Sequence, residues 1–395
     1  MPDPAVTDET LFEGGPRVRL LERLGVLRPD RLRILRPAVF AALLGWVPLV
    51  VLAWRKGMLY GVPGSLLGDF ALTARSLIAV PIFLLAETVV LRRLSGIGAH
   101  FRESGLVDDD SAEGFAQAVA STRRLRDSVF AEVLVIVVGY MIIYGLARSF
   151  PTRETQAWQR SDIMGLPGYS PAGLWHMVVS LPLLLILFLG WIWRLFLWAR
   201  FLRLVSRLHL NLIAAHPDHA AGLKFVGHSV RAWTPIGFGM GFVIAGSLAN
   251  RVLQGSAGLS AFRAPALILL GVVALLFAGP LLCFMAPLNR TRIAGIFGYG
   301  RLADVVGREF ESKWMKRRAP DQTAEFPEDP LSTQAFSATT DLYQVVGNVY
   351  DMFIVPVDLI SLVMLGVITL VPLLPVILLV VPFQVIAEAI VSHLF

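Results

Sequence analysis

The chain has 395 residues, of which 55% are hydrophobic and only 16% are charged, and its formal net charge is +6. Soluble domains carry about 25% charged residues, so this composition excludes an ordinary soluble domain and indicates an integral membrane protein. The single cysteine, Cys283, excludes a disulfide framework and a cysteine-based metal cluster. Positive charge of this size suits loops that face anionic lipid, so we expect membrane lipids as partners and no nucleic acid.

Long apolar runs predict about eight transmembrane helices, because a bilayer core about 30 Å thick needs about 20 helical residues to cross it. The first six predicted spans cover residues 37–54, 71–91, 129–147, 172–198, 234–249 and 264–287. The last apolar stretch, residues 352–395, is long enough for two spans. Pro372 and Pro375 lie in its middle, and proline interrupts a helix. We therefore predict a tight helical hairpin there, made of spans seven and eight.

The basic residues give the predicted bundle an orientation. Of the 35 lysines and arginines, 26 lie in the N-terminal segment and in the loops 92–127, 200–232 and 288–350, whereas the intervening loops hold only 7. Lysine and arginine collect on the cytoplasmic side of a membrane. The sequence therefore predicts an all-α polytopic bundle in a bacterial-type inner membrane, with both termini in the cytoplasm.

Helices are also predicted outside the membrane. Residues 110–127 form one, the fourth span continues as a single helix to Ala215, and residues 293–316 are helical. The Pro-rich stretch 318–331 is a flexible linker, after which a helix restarts near Ser337 and runs into span seven. The resulting order is a cytoplasmic segment 1–36, spans one and two in 37–91, a helical loop 92–127, spans three and four in 128–215, a turn with spans five and six in 216–287, a helical loop 288–350 and the hairpin 351–395.

The stretch His216-Pro217-Asp218-His219 follows the fourth span, and four of the seven histidines lie between positions 209 and 228. His216, Asp218 and His219 are candidate metal ligands, since imidazole and carboxylate both bind transition metals. The alternative is a structural turn in which Pro217 ends one helix, Asp218 caps the next and Gly222 allows close packing.

Residues 216–223, HPDHAAGL, resemble an HPD-x-A-G-G-L-like motif of an uncharacterised family of bacterial multi-pass inner-membrane proteins. The segments FESKW at Phe310–Trp314 and VYDMFIVPVD at Val349–Asp358 are similar to the same family. The resemblance covers about residues 175–395 and implies a multi-pass membrane fold, but no activity. The family pattern has an arginine-like residue at the position of His219 and glycine at Ala221, so the resemblance does not support His219 as a ligand.

Ionisable residues inside the predicted spans are a second set of candidates. The topology places five of them in the inner half of the membrane, namely Glu87, Glu132, Arg194, Asp358 and Glu388. A charge in the bilayer interior is costly and commonly functional. One interpretation is a cation or proton pathway open to the cytoplasm, with Asp358 and Glu388 deepest. The alternative is that Glu87, Glu132 and Arg194 snorkel to the interface and contribute only to assembly, while Arg75 lies alone in the outer half.

Span five begins with the glycine-rich run Thr234-Pro-Ile-Gly-Phe-Gly-Met-Gly241. It has some likeness to a potassium filter, but its predicted position at the start of a span favours close helix packing. Gly237 and Gly241 form a G-x-x-x-G pattern, which allows helices to approach each other. Such faces also make a homo-oligomer plausible.

The sequence contains no Walker A loop, no G-x-S-x-G and no H-E-x-x-H. We expect no cofactor and favour a channel or secondary transporter for a cation, a proton or a small solute over an enzyme. Two alternative functions remain open. One is a membrane-embedded enzyme or lipid-handling protein that uses the cytoplasmic His/Asp site. The other is a membrane scaffold or sensor that binds a cytoplasmic partner.

Overall fold

A computed structural model describes residues 11–12, 35–149, 155–163, 166–255, 258–314 and 334–380. Its helices are α1 (Leu35–Arg55), α2 (Phe70–Glu103), α3 (Asp109–Arg126), α4 (Val129–Ser149), α5 (Pro171–Val205), α6 (Lys224–Leu253), α7 (Ser260–Lys313), α8 (Gln334–Tyr350) and α9 (Leu359–Val380). Strands β1 (Arg160–Ile163) and β2 (Leu166–Tyr169) form one antiparallel hairpin.

Seven of these helices, all except α3 and α8, are long and apolar enough to cross a membrane. This confirms the predicted fold class, an all-α polytopic bundle, and the protein is a multi-pass membrane protein. The predicted eighth span depends on residues 381–395, which lie outside the described part of the chain, as does the predicted linker 318–331.

Helix starts follow from local chemistry. The Asp108 side chain caps α3 by accepting a hydrogen bond of 2.9 Å from the backbone N–H of Ser111. The Ser170 hydroxyl caps α5 by accepting one of 3.0 Å from the N–H of Gly173, and Pro171 follows as the first helical residue. Both arrangements satisfy backbone donors that have no partner within the helix.

One end of the bundle, which we call the cap end, is formed by α3, residues 206–223 and residues 351–358. Val107 pairs with Leu210 in an isolated β-bridge, and the Ser111 hydroxyl donates to the carbonyl of His209 at 2.6 Å. The N–H of Phe353 donates to the carbonyl of His219 at 2.7 Å. An added Cβ on Gly295 would meet Ala214 and Val349, so segments from all three loops with predicted cytoplasmic positions meet here, as alternating spans require. Residues 351–358, which were predicted to belong to the hairpin, join them.

The opposite end, which we call the hairpin end, carries residues 56–69, the β-hairpin and the turn after α6. The N–H of Trp158 donates to the carbonyl of Gly64 at 3.2 Å, and the side chain of Asn250 accepts from the N–H of Phe70 at 2.7 Å. The three loops with few basic residues thus share one end.

A single aromatic core runs from the spans into the cap end. Phe101, Phe115 and Phe201 are buried there, and their rings pack edge to face or tilted. Leu11 and Phe12 of the N-terminal segment are buried in the same core, with the Phe12 ring 5.4 Å from that of Trp198. The cap is therefore an extension of the bundle, because it has no separate core within the described residues.

Helix α5 ends at Val205, so the predicted continuation to Ala215 is wrong. Sequence periodicity favours helix beyond this point, but residues 206–215 make tertiary contacts instead. The N–H of Asn211 donates to the carbonyl of Leu106 at 2.9 Å, beside the Val107–Leu210 bridge. These hydrogen bonds to another segment replace the bonds that a continued helix would make.

The last helices also differ from the prediction. Helix α8 ends at Tyr350 and does not run into the next span, because residues 351–358 form an irregular segment that docks against the cap. Pro372 lies in a short 3-10 turn inside α9, which continues to Val380. Leu365 approaches Gly237 near one end of α6, and Val376 packs with Leu248 nearer the other. The chain therefore does not reverse at Pro372 and Pro375, and α9 crosses the bundle parallel to α6.

Candidate functional site: charged residues between the helices

Glu87 of α2 and Arg194 of α5 form an ion pair between their helices. Both side chains are largely buried, and the Arg194 guanidinium also lies over the Trp191 ring, 5.0 Å from its centroid. The pair lies toward the cap end, because Glu87 is about 25 Å along α2 from its start at Phe70 at 1.5 Å per residue. The two residues predicted to share the inner half of the membrane are therefore direct partners.

Asp358 precedes α9, and its partner is an arginine of α6. Its carboxylate accepts from the Arg231 guanidinium at 2.6 Å and from the Ser361 hydroxyl at 2.8 Å. Arg231 also donates to Ser361 at 2.6 Å. Helix α9 has 22 residues and spans about 33 Å, so Asp358 lies at a membrane boundary. The prediction that it lies deepest is wrong, because the helix starts after it.

The remaining predicted carboxylates are not part of these pairs. Glu132 lies in the first turn of α4 and is half-buried. Glu388 lies outside the described residues, so its predicted approach to Asp358 stays a prediction. In the described part of the chain the inner charges form two separate arginine–carboxylate pairs, each joining two membrane helices, rather than one acidic cluster.

The His-Pro-Asp stretch forms a tight loop around the carboxylate of Asp218. This carboxylate accepts backbone N–H bonds from Ala220, Gly222 and Lys224 at 2.8, 3.1 and 3.1 Å. Burial alone raises the pKa of Asp218, but these donors and the His216 ring outweigh it and lower the pKa below its usual value. Asp218 is therefore an anion that organises the loop.

The ring of His216 completes this arrangement. Its Nδ1 lies 2.8 Å from the Asp218 carboxylate and 3.2 Å from the Asp218 backbone nitrogen. The two contacts require opposite proton positions on Nδ1. We assign the proton to Nδ1, because an ionised carboxylate at the shorter distance requires a donor. The Nε2 atom of His216 is then the remaining acceptor of the ring.

The predicted metal site does not form. No group of three histidine, cysteine or acidic side chains in the described segments could hold a metal ion. The Asp218 carboxylate is occupied by backbone donors, and His219 uses its carbonyl to bind Phe353. His219, Ala221 and Gly222 all have positive φ angles of 56°, 54° and 94°. The structure therefore corresponds to the alternative interpretation, a structural turn.

A cleft of about 360 Å³ lies beside this loop. Its polar lining side chains are His100, Ser104, Asn211, His216, Asp218, Lys224 and His228. His100 is also within 3.4 Å of Glu103. The cleft is open to solvent at the cap end, and its histidines come from α2 and from residues 216–228, which the sequence alone does not bring together.

A second group of polar side chains lies at the hairpin end. The Asp69 carboxylate is buried and accepts from the Leu72 N–H at 2.9 Å, the Asn250 amide at 2.8 Å and the Trp158 indole at 3.2 Å. The Trp158 ring in turn packs edge to face on His176, with centroids 5.6 Å apart. Asp69 thus connects α2, α6 and the loop before β1, while the Trp158 ring extends this contact to α5.

Two π-helical turns lie next to this group, Ala74–Ala79 in α2 and His176–Ser180 in α5. Each is followed within two residues by a proline, Pro81 or Pro182. Proline lacks an N–H and its ring crowds the preceding turn, so a wider turn before it relieves the clash. The two π turns meet at Gly45 of α1, whose carbonyl accepts from Ser180 at 2.6 Å. An added Cβ on Gly45 would lie 3.9 Å from Ser76.

The π turns carry Arg75 and His176. Arg75 donates to the Ser247 hydroxyl of α6 at 3.2 Å, and this is its one hydrogen bond within the described residues. His176 is 7% exposed, and its Nδ1 atom is buried with no hydrogen-bond partner there. Arg75 therefore has a partner, contrary to the prediction that it lies alone.

Asp69 and Asn250 were not predicted as site residues, because a polar residue at a span end is indistinguishable from an ordinary helix cap.

Gly237 and Gly241 lie where α6 packs against α9. An added Cβ at Gly237 would overlap the Thr369 hydroxyl, and one at Gly241 would overlap the Thr369 carbonyl oxygen. The G-x-x-x-G face is therefore used within the chain. It is covered by α9 and offers no argument for a homo-oligomer, which stays a prediction without that basis.

No protein-family model, curated protein or solved structure matches this chain. Functional inference therefore depends on the arrangement of its own residues.

Proposed function

We propose that this chain moves a small solute across its membrane, as a channel or secondary transporter in a bacterial-type inner membrane. The observation that carries the proposal is the placement of ionisable residues between membrane helices at both ends of one bundle. Glu87–Arg194 and Arg231–Asp358 lie toward the cap end, and Arg75 lies toward the hairpin end. Charges in a bilayer are costly, and those retained between helices commonly mark solute or ion pathways. This applies to Glu87, Arg194 and Arg75, which lie within spanning helices, whereas Arg231–Asp358 joins two helices at the membrane boundary.

The two pairs give the proposal a chemical step. Each carboxylate holds an arginine of a different helix, so the pairs connect α2 to α5 and α6 to α9. A proton that binds Glu87, or a cation that binds Glu87 or Asp358, weakens the attraction of that carboxylate for its arginine. The helices joined by that pair are then free to separate. Protonation from the cap end thereby opens the bundle on that side.

The helix geometry fits this movement. α2 and α5 each contain a π turn, and α9 contains a 3-10 turn at Val371–Leu373. Irregular turns in membrane helices occur where neighbouring protein or a cavity satisfies the backbone, and they are recurrent features of transport sites. They supply positions at which a helix can bend without breaking all of its hydrogen bonds.

The test is electrical measurement on proteoliposomes adsorbed to a solid-supported membrane. Concentration jumps of protons, sodium, potassium or acetate are applied in turn. We expect a transient current for at least one of them, and its loss in Asp358→Asn and Glu87→Gln. Glu103→Gln is the matched control, because Glu103 is an exposed carboxylate that contacts only His100 among the described residues, and it should keep the current.

Currents of wild-type size in both Asp358→Asn and Glu87→Gln would contradict the proposed role of these pairs. The absence of both a current and a solute-driven change of vesicle pH with every tested solute, in protein shown to be folded and inserted, would count against transport of those solutes.

A further inference from the structure

We propose that Arg75 and His176 form a binding site for a small carboxylate monoanion in the hairpin-end half of the bundle. The inference rests on the proposed transport function and names a substrate class for it. It is argued from the polar residues around the two π turns, which the predicted cation pathway does not use.

Arg75 and His176 both have hydrogen-bonding groups that the described residues leave unused. Arg75 has five N–H groups, and its one hydrogen bond in the described residues goes to the neutral Ser247 hydroxyl. His176 has a buried Nδ1 without a partner, although a buried polar atom usually has one. Both residues lie in π turns that meet at Gly45. Wide turns of this kind occur frequently at functional sites.

The charges around Arg75 favour a monoanion as the ligand. Asp69 lies six residues before Arg75 at the start of α2 and is connected to His176 through the Trp158 ring, but its carboxylate is held by Leu72, Trp158 and Asn250 rather than by arginine. The guanidinium therefore keeps a fork of donors that matches a carboxylate. Because Asp69 already contributes one negative charge, a bound dianion would be repelled more strongly than a monoanion. This favours a carboxylate over a phosphate dianion.

The Arg75–His176 site is separated from the cap-end ion pairs. The site lies at the opposite end of α2 and α5 from Glu87 and Arg194. A solute bound at Arg75 and a proton bound at Glu87 would thus occupy different ends of the same two helices. This arrangement corresponds to a carboxylate moved together with a proton.

The experiment is isothermal titration of the detergent-purified full chain with sodium acetate, compared with sodium phosphate at pH 8 and sodium chloride at equal ionic strength. We expect acetate to bind, with phosphate and chloride much weaker. Arg75→Gln should weaken acetate binding about 30-fold or more, since truncating one partner of a buried charge pair costs several kcal/mol. Arg148→Gln is the matched control, because Arg148 is exposed near the same end and contacts Tyr144, and its affinity should equal that of the wild type.

Arg75→Lys and His176→Gln guard against a variant that fails to fold. Arg75→Lys keeps the charge and loses the fork, so we expect weaker acetate binding in a monodisperse protein, and His176→Gln should also weaken it. Unchanged affinity in Arg75→Gln, or wild-type protein that binds phosphate more tightly than acetate, would overturn the site.

The outcomes separate this inference from the proposed function. Acetate binding that depends on Arg75, in a protein that gives neither a current nor an acetate-driven change of vesicle pH beyond that of protein-free liposomes, would uphold the site and argue against transport. A current that depends on Asp358, in a protein that does not bind acetate, would uphold transport and overturn the site.

Discussion

At the scale of single residues, Asp218 holds several backbone N–H groups of the cap together. Its carboxylate accepts three N–H bonds and contacts the His216 ring. Asp218→Asn removes the negative charge and places an amide donor against backbone donors. We expect a loss of about 1–3 kcal/mol in stability, the usual cost of disrupting charge-assisted hydrogen bonds. Thermal unfolding in detergent, followed by circular dichroism, measures the change.

The pH dependence of this effect has a definite sign. The folded-state pKa of Asp218 is lowered, so its stabilisation is present above its ordinary pKa of about 4 and is lost as the pH falls through the lower, folded-state value. The difference in melting temperature between the wild type and Asp218→Asn should therefore be constant from pH 8 to about pH 5 and shrink below about pH 4. A difference that grows on acidification would contradict this role.

Glu87 and Arg194 allow a double-mutant test. Arg194→Gln leaves the Glu87 carboxylate without its partner, whereas Arg194→Gln combined with Glu87→Gln leaves two neutral groups. Because an unpaired buried charge costs more than a neutral pair, we expect the double variant to be more stable than Arg194→Gln by about 1–3 kcal/mol. Unfolding by heat in detergent checks this. Additive losses from the two substitutions would show that the ion pair is not energetically coupled.

The sequence identified which residues are chemically unusual, but not their partners. Glu87 and Arg194 were correctly singled out as charges inside apolar runs, and they are partners. Arg231 was counted as a loop charge, and yet it holds Asp358. Which helices are neighbours decides these contacts, and that information is not in the local pattern of one sequence. Asp69 and Asn250 show the same limit, since they lie far apart in the chain.

At the scale of helices, the contact between α6 and α9 depends on Gly241. Gly241→Ala would place a Cβ against the Thr369 carbonyl oxygen and near the Pro372 ring, forcing the helices apart. We expect a loss of about 1–3 kcal/mol, because overpacking in a close contact is destabilising. Gly271→Ala in α7 is the control, since nothing lies near its added Cβ and alanine favours helix over glycine by about 1 kcal/mol.

Thermal unfolding of both glycine variants in the same detergent provides the measurement. Equal melting temperatures for Gly241→Ala and Gly271→Ala would contradict the close contact between α6 and α9.

The N-terminal segment contributes an anchor to the cap core. Phe12 is 3% exposed, its N–H donates to the Ser95 hydroxyl at 2.9 Å, and its ring contacts Trp198 and Phe201. We expect Phe12→Ala to destabilise the protein by about 3–5 kcal/mol, the usual cost of removing a buried phenylalanine. Phe297→Ala, at a residue that is 73% exposed, is the control. Chemical unfolding of both variants measures the loss, and equal stabilities would contradict a buried position for Phe12.

The positions of the first six spans follow well from hydropathy, because a long apolar run has few alternatives in a bilayer. The predicted helix at 110–127 corresponds to α3. The errors lie where tertiary contacts decide. Residues 206–215 bond to the α2–α3 connection instead of extending α5. Pro372 fits into a 3-10 turn packed on α6 instead of reversing the chain. Local propensity does not contain these competing contacts.

At the scale of the whole molecule, the fold separates two ends with different chemistry. The cap end has arginine–carboxylate pairs and a histidine-lined cleft, and the hairpin end has Asp69, Arg75 and His176 around two π turns. Transport requires these ends to face opposite sides of a membrane. The excess of lysine and arginine in the cap-end loops predicts that the cap faces the cytoplasm.

The most direct test of this account is a cysteine-accessibility map in inverted and right-side-out membrane vesicles. Single cysteines replace Ser104 at the cap end and Tyr60 at the hairpin end, both exposed, in a Cys283→Ser background. A membrane-impermeant maleimide should label Ser104→Cys only in inverted vesicles and Tyr60→Cys only in right-side-out vesicles. Labelling of both positions from the same side would contradict a bundle that spans the membrane between its cap and hairpin ends.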